Sequence, residues 1–164
     1  MKKILLILSV VLISMHTWAQ QQELPKTMVR MLEGKQIPFN ETVKPGRITL
    51  ISFWATWCIP CKAEIKNIQK KLPDWKKDVD FDFMTVSIDD ARAASMVRTY
   101  SKAQGWTFPT FLDANSDLKR SLNFQNIPYT IIVDQQGKIV FQHTGYEEGS
   151  EKHLFEKIKE LAKK

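Results

Sequence analysis

Residues 48–61 read ITLISFWATWCIPC, and Cys58 and Cys61 are the only cysteines among 164 residues. The first eight residues, Ile48 to Ala55, are mostly apolar or β-branched, as expected for a strand buried in the middle of a sheet. A helix over Cys58–Leu72 is expected next, because Ile65, Ile68 and Leu72 recur at helical spacing, and Pro73 should stop it. The two cysteines therefore fall where a core strand gives way to a helix.

Four chemistries can use a cysteine pair. A structural staple stabilises mainly by closing long loops: a 15-residue loop gives about 3 kcal/mol, and so tight a ring gives less. A structural zinc site needs four ligands, and His143 and His153 lie far from the cysteines and show no metal spacing. Covalent haem attachment needs histidine directly after the second cysteine, where Lys62 stands. A reactive dithiol uses every local feature. Residues three apart on a helix lie about 5–6 Å apart at Cβ, within reach of oxidation. Pro60 loses nothing in a first helical turn. Free backbone donors and the helix dipole favour a thiolate at Cys58, the nucleophilic form, whereas Cys61 one turn further should be more buried. Cys58 would attack a partner's disulfide, and Cys61 would then resolve the mixed disulfide. Lys62 reads as a solvated residue that lends some positive potential.

The remainder of the chain predicts an α/β fold, a central mixed β-sheet flanked by helices, with an N-terminal β-hairpin over residues 28–39. A second strand is expected at Phe81–Ile88 and a helix at Ala91–Ala103, capped by Asp89 or Asp90 and ended by Gly105. One or two helical turns follow at Ser116–Leu122, then a core strand at Tyr129–Val133 and its hairpin partner at Ile139–His143. Ser150 should cap a last helix, Glu151–Leu161, with Leu154, Phe155, Ile158 and Leu161 inward. Phe39, Phe81, Phe83 and Phe111 read as core. Trp54 should share a strand face with Ser52.

Lys2 and Lys3, the apolar run Ile4–Ile13 and the small Ala19 predict a signal peptide over residues 1–19, with an uncleaved anchor as the alternative. The run is too short to span a membrane, and no cysteine follows it for lipid attachment. A polar leader at 20–27 and one domain at 28–164 follow. Cleavage leaves 145 residues and, with Lys2 and Lys3 gone, a net charge of +4 instead of +6. The remaining lysines are scattered among acidic and apolar neighbours, which argues against nucleic acid as a partner.

FWATWCIPCKAE resembles the Trp-Cys-x-x-Cys active site of thioredoxin-like proteins, and NIPYTIIVDQQGKIVFQHTGY resembles their second signature, a proline opening a core strand before a hairpin. The hairpin MVRMLEGKQIPF and the segment GWTFPTFLDANSDLKRSLNFQNIP narrow the resemblance to exported TlpA/ResA-type thiol-disulfide oxidoreductases, over roughly residues 28–163. The resemblance implies a thioredoxin-like fold, a redox-active Cys58–Cys61 disulfide, no cofactor and no metal. It implies that Pro128 is cis, that Ile127 touches Cys58, and that Trp57, Ile59 and Pro60 border the site. It further implies protein disulfide clients, an apocytochrome c among them, a membrane thiol reductant as electron donor, a periplasmic location and a monomer. A dithiol oxidase or isomerase, or a non-catalytic binding protein on the same scaffold, are the alternatives. Two positions depart from thioredoxin itself. Ser52 occupies the place of its buried aspartate, and Ile59-Pro60 replaces Gly-Pro. Asp89 is the residue expected either to cap a helix or to supply the missing acid.

Overall fold

The structure, a computed structural model, describes residues 22–163; the expected signal peptide lies outside them. Its eight strands are β1 (Gln22–Glu23), β2 (Met28–Met31), β3 (Gln36–Pro38), β4 (Ile48–Trp54), β5 (Phe81–Ser87), β6 (Thr110–Leu112), β7 (Tyr129–Val133) and β8 (Lys138–Thr144). They form one sheet in the order β1-β8-β7-β4-β5-β6-β2-β3. The pairs β4–β5 and β5–β6 are parallel, and β4–β7, β7–β8, β1–β8, β2–β3 and β2–β6 are antiparallel. Helices α1 (Ile59–Asp78), α2 (Ala94–Ala103), α3 (Asp117–Ser121) and α4 (Glu151–Ala162) complete the fold. The expected mixed sheet with an N-terminal hairpin is present. Gln22 and Glu23, read as leader, form a strand, with β1 pairing to β8 and Leu24 buried just after it.

Every residue of β4 is buried, because both faces of this central strand are covered. Ile48, Leu50 and Trp54 face the layer of Ile65, Ile68, Trp75, Phe155 and Ile158, supplied by α1 and α4. Ile51 and Phe53 face the opposite layer, with Phe39, Phe111, Leu118 and Ile131. Phe39, Phe81, Phe83 and Phe111 are all in the core. Stacking of Trp75 on Phe155, with ring centres 4.6 Å apart, locks α1 to α4.

Pro73 lies inside α1 and does not stop it. Its ring is exposed, so the lost hydrogen bond falls on the solvent side, while Leu72 and Trp75 hold the continuing turns against the core. Asp90, not Asp89, caps the segment after β5, accepting from the N–H of Arg92 and Ala93 at the head of a 3₁₀ turn that leads into α2. The chain leaves α2 through Gly105 at φ +63°, a left-handed position that favours glycine. Ser150 precedes α4 but makes no side-chain cap; the Glu151 carboxylate accepts from the N–H of Gly149 instead, at 3.0 Å.

Candidate active site

The chain turns out of β4 into a loop fixed from the neighbouring strand. Asp89, just past β5, accepts from the Thr56 N–H (2.8 Å), the Thr56 hydroxyl (2.8 Å) and the Ser87 hydroxyl (2.7 Å). Its carboxylate is therefore a strap for the cysteine loop, and the capping role expected of it falls to Asp90. Cys58 is the N-cap of α1, in extended conformation, and its sulfur accepts from the Cys61 N–H at 3.3 Å. The helix thus begins one residue later than expected, with Pro60 in its first turn. The cysteines are joined in a disulfide with Cα atoms 5.4 Å apart. Cys61 is fully buried and Cys58 retains 4% exposure, the asymmetry expected of a nucleophile and a resolving residue. Trp57 and Ile59 stand out beside them at 68% and 76% exposure. Lys62 is not a freely solvated residue. Its ammonium donates to the Thr56 carbonyl at 3.0 Å and lies 5.6 Å from the centre of the Tyr100 ring.

The Ile127–Pro128 peptide bond is cis. Because β7 runs antiparallel to β4, its first residues lie at the sheet edge where β4 ends. Pro128 and the cysteines therefore share one end of the sheet although about 67 residues separate them in the chain. Ile127 packs, partly buried, against the cluster that contains both cysteines.

Sequence reasoning missed the acid of this site. Glu64 is fully buried, one helical turn beyond Cys61 and on the same side of α1. The Ser52 hydroxyl donates to one carboxylate oxygen at 2.8 Å and the Thr130 hydroxyl to the other at 3.0 Å. Ser52 and Thr130 are direct partners across β4 and β7, so a single cross-strand pair grips both oxygens. Burial pushes the Glu64 carboxyl up to about 7; the two hydroxyls draw it down and the charge of Glu151 raises it further. Ser52 thus does not mark a missing acid: it holds one delivered from the helix. The available signal was a glutamate lying within the apolar stripe of Cys61, Ile65, Ile68 and Leu72.

Comparison with known proteins agrees with this geometry. Residues 20–142 match the AhpC/TSA family. The chain is 26% identical to the thiol-disulfide oxidoreductase ResA of Bacillus thuringiensis subsp. konkukian, over 85% of this chain and 77% of that protein. It is 28% identical to the thioredoxin-like protein YneN of Bacillus subtilis, over 85% and 87%. Among solved structures it is similar to a thioredoxin-like protein of Porphyromonas gingivalis, with a TM-score of 0.77 and 41% identity over 85% of this chain and 92% of that one. The chain belongs to the AhpC/TSA family, and the Cys58–Cys61 pair on its thioredoxin-like sheet makes it a thiol-disulfide oxidoreductase.

Proposed function

We propose that the protein is exported to the periplasm and there reduces disulfides of protein clients as a monomer, with oxidised apocytochrome c as one client class. In its reduced form the Cys58 thiolate attacks a client disulfide and a client thiolate leaves. Cys61 gives up its proton, with Glu64 as the acceptor one turn away, and attacks Cys58. The client departs as a dithiol and the Cys58–Cys61 disulfide remains, two electrons having passed to the client. A dithiol donor at the membrane then restores the reduced form. Trp57 and Ile59 supply an apolar rim for the client, and Ile127 and Pro128 border the same edge. The observation that carries this reading is the asymmetric disulfide: Cys58 keeps 4% exposure beside exposed Trp57, and Cys61 is fully buried one turn before Glu64.

Turnover of insulin disulfides by the reduced protein tests the chemistry. It should vanish in Cys58→Ala, and equal turnover in both proteins sinks the reading. Equilibration in a dithiol buffer tests the direction: a potential near thioredoxin's, about −270 mV, fits a reductant, whereas one near about −120 mV fits an oxidase.

A further inference from the structure

A second polar cluster lies where α1 meets the start of α4. Glu64, Asn67 and Lys71 occupy positions i, i+3 and i+7 of α1, one stripe along the helix. Tyr146 follows Gly145, whose N–H donates to the Pro128 carbonyl at 2.8 Å. Asn67 donates to the Tyr146 hydroxyl at 2.6 Å, and that hydroxyl donates to a Glu151 oxygen at 3.0 Å. The same oxygen accepts from the Gly149 N–H at 3.0 Å, and the other pairs with the Lys71 ammonium. Both oxygens are engaged, and the Glu151 side chain is only 3% exposed.

Closing the first turn of a helix does not need so many partners, since one side-chain oxygen suffices. These partners keep Glu151 charged. Burial pushes its carboxyl up, but Lys71, the backbone and Tyr146 together bring it below the usual value. A charge kept out of water acts over a longer range than one at the surface. β4 and β7 offer Glu64 the hydroxyls of Ser52 and Thr130. The titratable and charged groups that its other neighbouring elements bring to this face are Cys61 and Lys71 on α1, Glu151 on α4, Tyr146 in the loop between β8 and α4, and on β8 the exposed His143, the cross-strand partner of Thr130.

We propose that Glu151 is a positioning residue for the proton chemistry at Cys61: anchored by Lys71, Tyr146 and Gly149, it places a fixed negative charge on α4 that sets the proton affinity of Glu64. Tyr146 ties that charge to the chain that holds the cis-proline, so the two sides of the site are linked through one carboxylate. This inference rests on Glu64 being the proton acceptor for Cys61.

The test is a carboxyl-carbon NMR titration of Glu64 in the oxidised protein, with Glu151→Gln and Lys71→Gln beside the parent. A unit charge about 10 Å away, at an effective dielectric of about 20, moves a carboxyl by roughly one pH unit. Lys71 cancels part of that charge, so Glu151→Gln should lower the Glu64 midpoint by about half a unit. Lys71→Gln, which leaves the Glu151 charge uncountered, should raise it. In the reduced protein the pH midpoint of the Cys61 thiol, read from its Cβ chemical shift, should move in the same two directions. A purely structural role would lower stability in both variants and leave the midpoints in place. Unchanged midpoints, or shifts of the same sign, overturn the proposal. Lys71 is partly exposed, so its variant still decides the matter if Glu151→Gln does not fold. The NMR titration needs no client: failure of insulin turnover in the parent would sink the reductase reading while leaving this shift measurable.

Discussion

Replacing Glu64 with glutamine should stabilise the protein in mild alkali while impairing its chemistry. In the folded protein the Glu64 carboxyl keeps its proton up to about pH 7, against an ordinary value of 4.5. Because the folded-state value is raised, its contribution to stability is fully present below about pH 4.5. Above that the unfolded chain has released a proton that the folded chain still holds, so stability falls as pH rises through the folded-state value near 7. A difference of about 2.5 units at about 1.4 kcal/mol per unit amounts to roughly 3 kcal/mol. Glutamine keeps the shape, can accept from one of Ser52 and Thr130 and donate to the other, and does not titrate. Urea unfolding of oxidised parent and Glu64→Gln at pH 4.5, 6 and 8 isolates the effect, since all other groups cancel in the difference. The variant should gain up to about 3 kcal/mol on the parent between the extremes, or roughly 1.5 M in urea midpoint at an m-value of about 2 kcal/mol/M. It should also release mixed disulfides more slowly, having lost the proton acceptor. Stability curves that run parallel to within about 0.5 kcal/mol would refute the assignment of a protonated, buried Glu64.

Three other substitutions probe separate parts of the argument. Trp57→Ala removes an exposed ring, so stability should change by less than about 0.5 kcal/mol while insulin turnover drops several-fold; unchanged turnover would remove Trp57 from the client surface. Asp89→Ala frees the Thr56 N–H and the hydroxyls of Thr56 and Ser87, and should lower the unfolding free energy by about 2–3 kcal/mol in urea; a loss under about 0.5 kcal/mol would show that the strap is not needed. Pro73→Ala restores a backbone donor on the exposed side of α1 and should raise stability by about 1 kcal/mol, the greater freedom of the unfolded chain offsetting part of the gain; a lower thermal midpoint would mean that the proline ring packs usefully.

The core strands β4, β5 and β7, the hairpin and the cysteine pair were legible because each rests on local pattern: apolar runs, turn residues, and two thiols at helical spacing. The cis-proline was legible only through resemblance, since few X–Pro bonds are cis. Glu64 escaped because its role depends on two strands distant in sequence from each other. Ser52 and Thr130 become its donors only once β4 and β7 pair, and the first core strand by itself shows only a serine where thioredoxin has its aspartate. Asp89 itself was misjudged for a related reason. Two adjacent aspartates precede a helix, and only the fold directs one to the Arg92 and Ala93 N–H groups and the other back to Thr56. At Pro73 the local rule gave way to tertiary packing, since Trp75 beyond it has Phe155 to stack on.

The grip of Ser52 and Thr130 on Glu64 also bears on how the sheet avoids misalignment. β7 is buried along its whole length, so apolar patterning barely distinguishes one pairing with β4 from another shifted along it. A shift of one residue would turn Thr130 to the opposite face; a shift of two would bring Ile132 across from Ser52. Either error leaves a buried carboxyl with one donor where it needs two, a penalty of about 1–3 kcal/mol. The carboxyl buried beside the cysteines is thus also the mark that distinguishes the correct alignment of the two central strands.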